Sequence, residues 1–96
     1  MATYLSLFNW TDQGIRTVKD SPKRLESTKK ALKKLGGELR AFYMLQGSYD
    51  GVLIFDIPGD AELTKFLLTT GLAGNVRTTT LRAFTEDEFL KHIAAL

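Results

Sequence analysis

Residues 38–57, ELRAFYMLQGSYDGVLIFDI, hold the pattern that decides the fold. Residues 38–46 alternate as a strand, with Leu39, Ala41, Tyr43 and Leu45 expected on one face and Phe42 and Met44 on the other. Gly47-Ser48-Tyr49-Asp50-Gly51 supplies the residue types of a turn. Residues 52–57 form the next strand, with Leu53, Phe55 and Ile57 opposed to Val52 and Ile54. Pro58-Gly59 ends it, because proline cannot continue a ladder.

Upstream, residues 21–35 predict a helix capped by Asp20 or Ser21, with Pro22 in its first turn and Gly36 just past its end. Its apolar stripe is Leu25, Thr28, Leu32 and Leu35. Residues 3–10 (TYLSLFNW) read as a strand, with Leu5 and Leu7 opposed to Tyr4, Phe8 and Trp10, and residues 11–20 as a connection. Downstream, Asp60 is expected to cap a helix carrying Leu63, Phe66, Leu67 and Leu68 and stopped by Gly71. Residues 75–84 give a fourth strand, and Thr85-Glu86-Asp87-Glu88 a capping box for a last helix with Phe89, Ile93 and Leu96.

The order is β-α-β-β-α-β plus a C-terminal helix. It predicts an α+β fold of the ferredoxin-like type, one domain over residues 1–96 with a four-stranded antiparallel sheet. Right-handed crossovers place strands one and three centrally, two beside three and four beside one. Helices cover only one sheet face in this plan, yet both faces are apolar. The 44% hydrophobic content exceeds what the helix side needs. A second copy, packed sheet against sheet as a dimeric α+β barrel, is the expected cover. The alternative is a monomer whose terminal helix folds over the open face.

The 96 residues carry 13 Lys and Arg against 11 Asp and Glu, a net charge of +2. The charge is uneven: Lys23, Arg24, Lys29, Lys30, Lys33 and Lys34 face a single acid, Glu26, along the first long helix. No aromatic residue is interleaved with them, so this reads as a solvated face and nucleic acid is not an expected partner. The chain has no cysteine, which excludes disulfides, thiol catalysis and thiolate metal sites. One histidine, His92, excludes a multi-histidine metal centre within one chain. No cofactor is expected. There is no membrane-length apolar run, and MATYLSLFNW lacks a leader's basic segment and cleavage site, so a cytoplasmic protein is expected.

Several blocks carry a family resemblance. They are Asn9-Trp10-Thr11-Asp12-Gln13-Gly14, Lys19-Asp20-Ser21-Pro22-Lys23-Arg24, Leu35-Gly36-Gly37, Gly47-Ser48-Tyr49-Asp50, Gly74-Asn75-Val76-Arg77-Thr78 and Leu81-Arg82-Ala83-Phe84. In this order the sequence resembles the GYD-domain family, small bacterial and archaeal proteins named for a Gly-x-Tyr-Asp-type motif. The resemblance implies a ferredoxin-like subunit of a dimeric α+β barrel. It implies no activity and no catalytic residues.

Topology gathers most of these blocks. The end of strand one, the turn between two and three, and the start of strand four share one sheet edge. Trp10, Thr11, Gln13, Tyr49, Asp50, Asn75 and Arg77 converge there, near the helix start at Asp20-Ser21. As a ligand site, Arg77 would hold a carboxylate or phosphate, Tyr49 and Asp50 would orient it, and Trp10 would form an apolar wall. As structure, Gly47 and Gly51 permit the turn, Asp50 closes an Asx-type turn, and Arg77 pairs with Asp50. His92 beside Phe89 and Ile93 reads as packing or surface, and Asp56 lies toward the opposite end. The expected function is a homodimeric protein binding a small anionic or aromatic molecule, in a cleft between sheet and helices or between sheets. The alternative is a cofactor-independent enzyme, monooxygenase- or lyase-like, by analogy with other dimeric α+β barrels. A nucleic-acid reader would need aromatic and basic residues on strand three, which has one aromatic, Phe55, and no base; an acylphosphatase would need a glycine-rich cradle at TDQGIR, which has one glycine.

Overall fold

The computed structural model describes residues 1–96. In chain order it contains β1 (Ala2–Trp10), α1 (Asp12–Arg16), a 3-10 turn (Val18–Asp20), α2 (Ser21–Lys34), β2 (Glu38–Met44), β3 (Gly51–Ile57), α3 (Asp60–Ala73), β4 (Val76–Ala83) and α4 (Glu86–Ala94). The four strands form one sheet in the order β2-β3-β1-β4, and every neighbouring pair is antiparallel. This α+β arrangement is compatible with the ferredoxin-like plan.

Register settles which residues share a face, because directly paired residues point the same way. Tyr4 pairs with Phe55 and Ser6 with Leu53, on the side that α2 and α3 cover. Tyr4, Leu32, Phe55, Ile57 and Phe66 form the buried core there. The Phe55 and Phe66 rings meet edge to face at 5.1 Å, and Tyr4 stacks on Phe55 at 6.0 Å. Leu25, Thr28 and Leu35 are half-buried and Leu32 is fully buried, so the α2 stripe packs as its spacing predicts.

The opposite face carries Leu5, Leu7, Val52, Ile54 and Leu81. The C-terminal helix does not fold over it. Leu81 is 52% exposed, and Phe89, Leu90 and Ile93 on α4 are 55%, 54% and 50% exposed. Instead α4 projects from the end of β4. The Arg82 guanidinium lies 4.3 Å over the Phe84 ring and 3.9 Å from Glu88, and Phe84 meets His92 edge to face. A single helix layer on one sheet leaves a flat, long body of 49 × 31 × 18 Å.

Five local expectations are corrected. First, residues 11–20 are helical in two short pieces. The Thr11 hydroxyl accepts the Gly14 N–H at 3.0 Å, and Arg24 donates to the Gly14 and Thr17 carbonyls. Second, β2 has an irregularity between Leu39 and Ala41 that inserts one residue and reverses the alternation beyond it. Leu39 therefore shares the helix-side face with Phe42, while Ala41 and Tyr43 face the open side with Ile54 and Val52. Third, α3 passes through Gly71 and ends at Gly74, whose φ of 76° is the left-handed conformation that closes helices. Fourth, neither Asp20 nor Asp60 makes a side-chain cap bond: Asp20 occupies the N-cap of α2 in αR conformation, and Gly59 takes the N-cap of α3. Fifth, Leu68 on α3 is 65% exposed. The Thr85–Glu88 capping box forms in full, with both reciprocal bonds present.

Candidate functional site

The edge predicted to gather polar residues does gather them, and most are bound into the frame. The Trp10 backbone N–H donates to Asp50 Oδ2 at 2.9 Å, while the Asp50 N–H donates to the Phe8 carbonyl at 2.8 Å. Asn9 Nδ2 donates to the Ser48 carbonyl at 3.0 Å. These bonds stitch the β2–β3 turn to the end of β1. Asp50 thus works across strands and not in an Asx turn. Gly47, with φ of 127°, adopts a conformation that side-chain-bearing residues rarely reach. Gly51 is needed for a different reason: a Cβ there would lie 2.3 Å from the Phe8 ring.

A second set of bonds ties α1 to the start of β4. Thr11 Oγ1 donates to the Gly74 carbonyl at 2.6 Å, and the Thr11 N–H to the Asn75 carbonyl at 3.1 Å. Gln13 Nε2 bonds both the Ala73 carbonyl and Asn75 Oδ1. Arg77 pairs with Asn9 in the ladder and so lies on the open face, where it forms no ion pair with Asp50. With Thr11, Gly74 and Thr78 it borders a shallow hollow. Tyr49 is half-buried in the turn.

The larger concavity lies between the helices and the sheet, a cleft of about 900 Å³. Its floor is Ser6, Phe8 and Trp10 of β1 with Leu53 and Phe42, and its walls come from α2 and α3. Of the residues expected at the edge, Trp10 and Asn75 line it. The Phe8 ring meets Trp10 edge to face at 5.9 Å and lies tilted to Phe42 at 6.0 Å. The start of α2 opens onto the same space through Asp20, Ser21, Lys23 and Arg24. Arg24 is held by the α1 segment through Gly14 and Thr17. Ser21 Oγ is buried without a hydrogen-bond partner. The alternation Tyr4, Ser6, Phe8, Trp10 signals one shared face; Phe42 joins it only because of the β2 irregularity.

At the other end of the sheet, Asp56 is 8% exposed. Its Oδ1 accepts from Thr3 Oγ1 and its Oδ2 from Arg40 Nη1, both at 2.6 Å. Burial works against the Asp56 charge, but the Thr3 hydroxyl and the Arg40 guanidinium outweigh it and hold the carboxyl below its usual range. The cluster faces the open side and is separate from the cleft. His92 packs on Phe84, as its position beside Phe89 and Ile93 suggests.

Comparison with known proteins places the chain. The GYD domain profile matches residues 4–93, and the chain belongs to the GYD-domain family. It is 30% identical over 84 residues to the "Glutamine synthetase and cystathionine beta-lyase binding protein" of Thermus thermophilus, a match covering 86% of this chain and 88% of the relative. The crystal structure of TTHA0845, also from Thermus thermophilus, is similar in fold, with a TM-score of 0.54 and 24% identity over 88% of this chain and 95% of that one. No helix is long and apolar enough to cross a membrane.

Proposed function

We propose that this GYD-domain chain is a homodimeric binding protein, two copies meeting across their open sheet faces and each holding a small molecule in its helix-side cleft. The cleft carries the reading. Its volume of about 900 Å³ falls in the range of small-molecule sites, and aromatic walls with a few polar groups are their usual lining. The bare face with Leu5, Leu7, Ile54 and Leu81 supports the dimer, since a monomer would leave it in water. Trp10 and Asn75 contribute to the cleft, and Thr11, Gln13 and Asp50 hold them in place.

A second reading rests on two observations. The Thermus relative is named as a binding protein for two enzymes, and α4 of this chain presents Phe89, Leu90 and Ile93 to solvent. An amphipathic helix of that kind is a suitable docking element for a protein partner. Native mass spectrometry of protein purified gently from its source tests both. A dimer carrying a small mass increment supports the first, and a complex with a larger protein the second. A bare monomer at micromolar concentration overturns the proposal.

A further inference from the structure

The cleft of the proposed binding protein has a chemical polarity of its own. Its sheet-side floor is aromatic: Phe8, Trp10 and Phe42 form a continuous set of rings. Flat ligands with π-faces gain most from such a set, through offset or edge-on contacts. Its polar lining is rich in donors. The Asn75 side-chain oxygen is taken by Gln13, which leaves the Asn75 amide N–H groups for a ligand. Lys23 borders the space, and at the start of α2 the buried Ser21 hydroxyl has no hydrogen-bond partner, while the Ser21 N–H is taken by the Val18 carbonyl. Asp20 is the one carboxylate among the lining residues. Acceptors are the missing partner chemistry.

We propose that the cleft takes a planar aromatic acid, its rings against Phe8, Trp10 and Phe42 and its carboxylate toward Asn75, Lys23 and the start of α2. This inference rests on the cleft reading given above. It differs from it in naming the ligand class. An aliphatic acid would lose the ring contacts, and an aromatic cation would meet Lys23 and the positive helix end.

Isothermal titration of the full chain with naphthoate, cyclohexanecarboxylate and naphthylmethylammonium tests the class. Naphthoate is expected to bind about tenfold tighter than either of the others. Phe42→Leu, at a 39% exposed edge-strand position, should weaken naphthoate by about tenfold and leave cyclohexanecarboxylate unchanged. Lys23→Gln should narrow the gap between acid and ammonium. Thr70→Trp fills the cleft from α3 and should abolish binding of all three, with circular dichroism confirming an intact fold. Equal affinities, or a preference for the ammonium, with Thr70→Trp still blocking, would overturn the aromatic-acid assignment and leave cleft binding in place. Binding that survives Thr70→Trp, or no binding by any of the three, would overturn the cleft reading together with the inference.

Discussion

The Trp10 backbone N–H and the Asp50 carboxylate are joined at 2.9 Å, although 40 residues separate them. This bond fixes where the β2–β3 turn sits against the end of β1, and so fixes the aromatic floor of the cleft. Asp50→Ala removes the acceptor from a part-buried donor and should destabilise the fold by about 1–3 kcal/mol in urea unfolding. Asp50→Asn keeps a side-chain oxygen and should cost less than half of that. Equal losses in the two variants would show that the bond is not what Asp50 supplies.

Gly51 lies beneath the Phe8 ring, and any side chain there meets the ring at 2.3–2.4 Å. Gly51→Ala should therefore cost about 1–3 kcal/mol through overpacking. The pair Gly51→Ala with Phe8→Leu should recover part of it, because the smaller side chain makes room. Thermal unfolding of the two single variants and the double variant reads the coupling.

Asp56 is held below the ordinary carboxylate range, so the folded state binds fewer protons than the unfolded chain in acid. Its contribution to stability is present above the unfolded value of about 4 and is lost as pH falls through the lower folded value. Glu88 adds in the same direction, since the Thr85 backbone N–H lowers its pKa despite some burial. Unfolding midpoints followed downward from about pH 6, well above the unfolded value, should fall more steeply for the wild type than for Asp56→Asn. Parallel slopes would exclude Asp56 as a source.

Leu81 is 52% exposed on the open sheet face. If that face joins two copies, Leu81→Lys should give a monomer by light scattering, with the wild type at twice that mass. The variant should keep its circular dichroism, because the side chain takes no part in the helix-side core. A wild-type protein already monomeric at micromolar concentration would remove the basis for the dimer.

Thr85 and Glu88 bond each other's backbone at the start of α4. Thr85→Ala should cost about 1 kcal/mol of local stability, visible as faster amide exchange in α4 than in the sheet. Because α4 is largely exposed, global unfolding should change less than exchange does.

Much of this fold can be read from residue order. The alternation in β1 and β3 survives because both strands are paired on each side without interruption, and the capping box of α4 is local. Parity in β2 fails at the irregularity near Arg40, which leaves no mark in the composition of the strand. Helix α1 escapes because five residues carry too little periodicity, and its determinants are a Thr11 cap and a Gly14 packed on the Asn75 carbonyl. Gly71 is a plausible stop but sits inside α3, since a glycine ends a helix only where the chain turns left-handed, here at Gly74.

The candidate site divides in the same way. Strand direction alone brings Trp10, Thr11, Asp50 and Asn75 to one edge, and they do meet there. Which of them remain open to a ligand depends on bonds to distant carbonyls, as with Thr11 to Gly74 and Gln13 to Ala73. Those partners are backbone atoms, common to every residue type, and no motif advertises them.

The extra residue in β2 works like a one-tooth offset between two gears. Removing Arg40 would restore an even ladder with Phe42 still opposite Leu53 and Tyr43 still opposite Val52, and would take away only the guanidinium that holds Asp56. A single codon deletion at an exposed edge would thus erase an ion pair on the open face with no change in the cleft wall or in the helices. The extra residue thereby uncouples the two sides of the sheet: Arg40 serves the Asp56 carboxylate on one, while the residues after it keep their places in the cleft on the other.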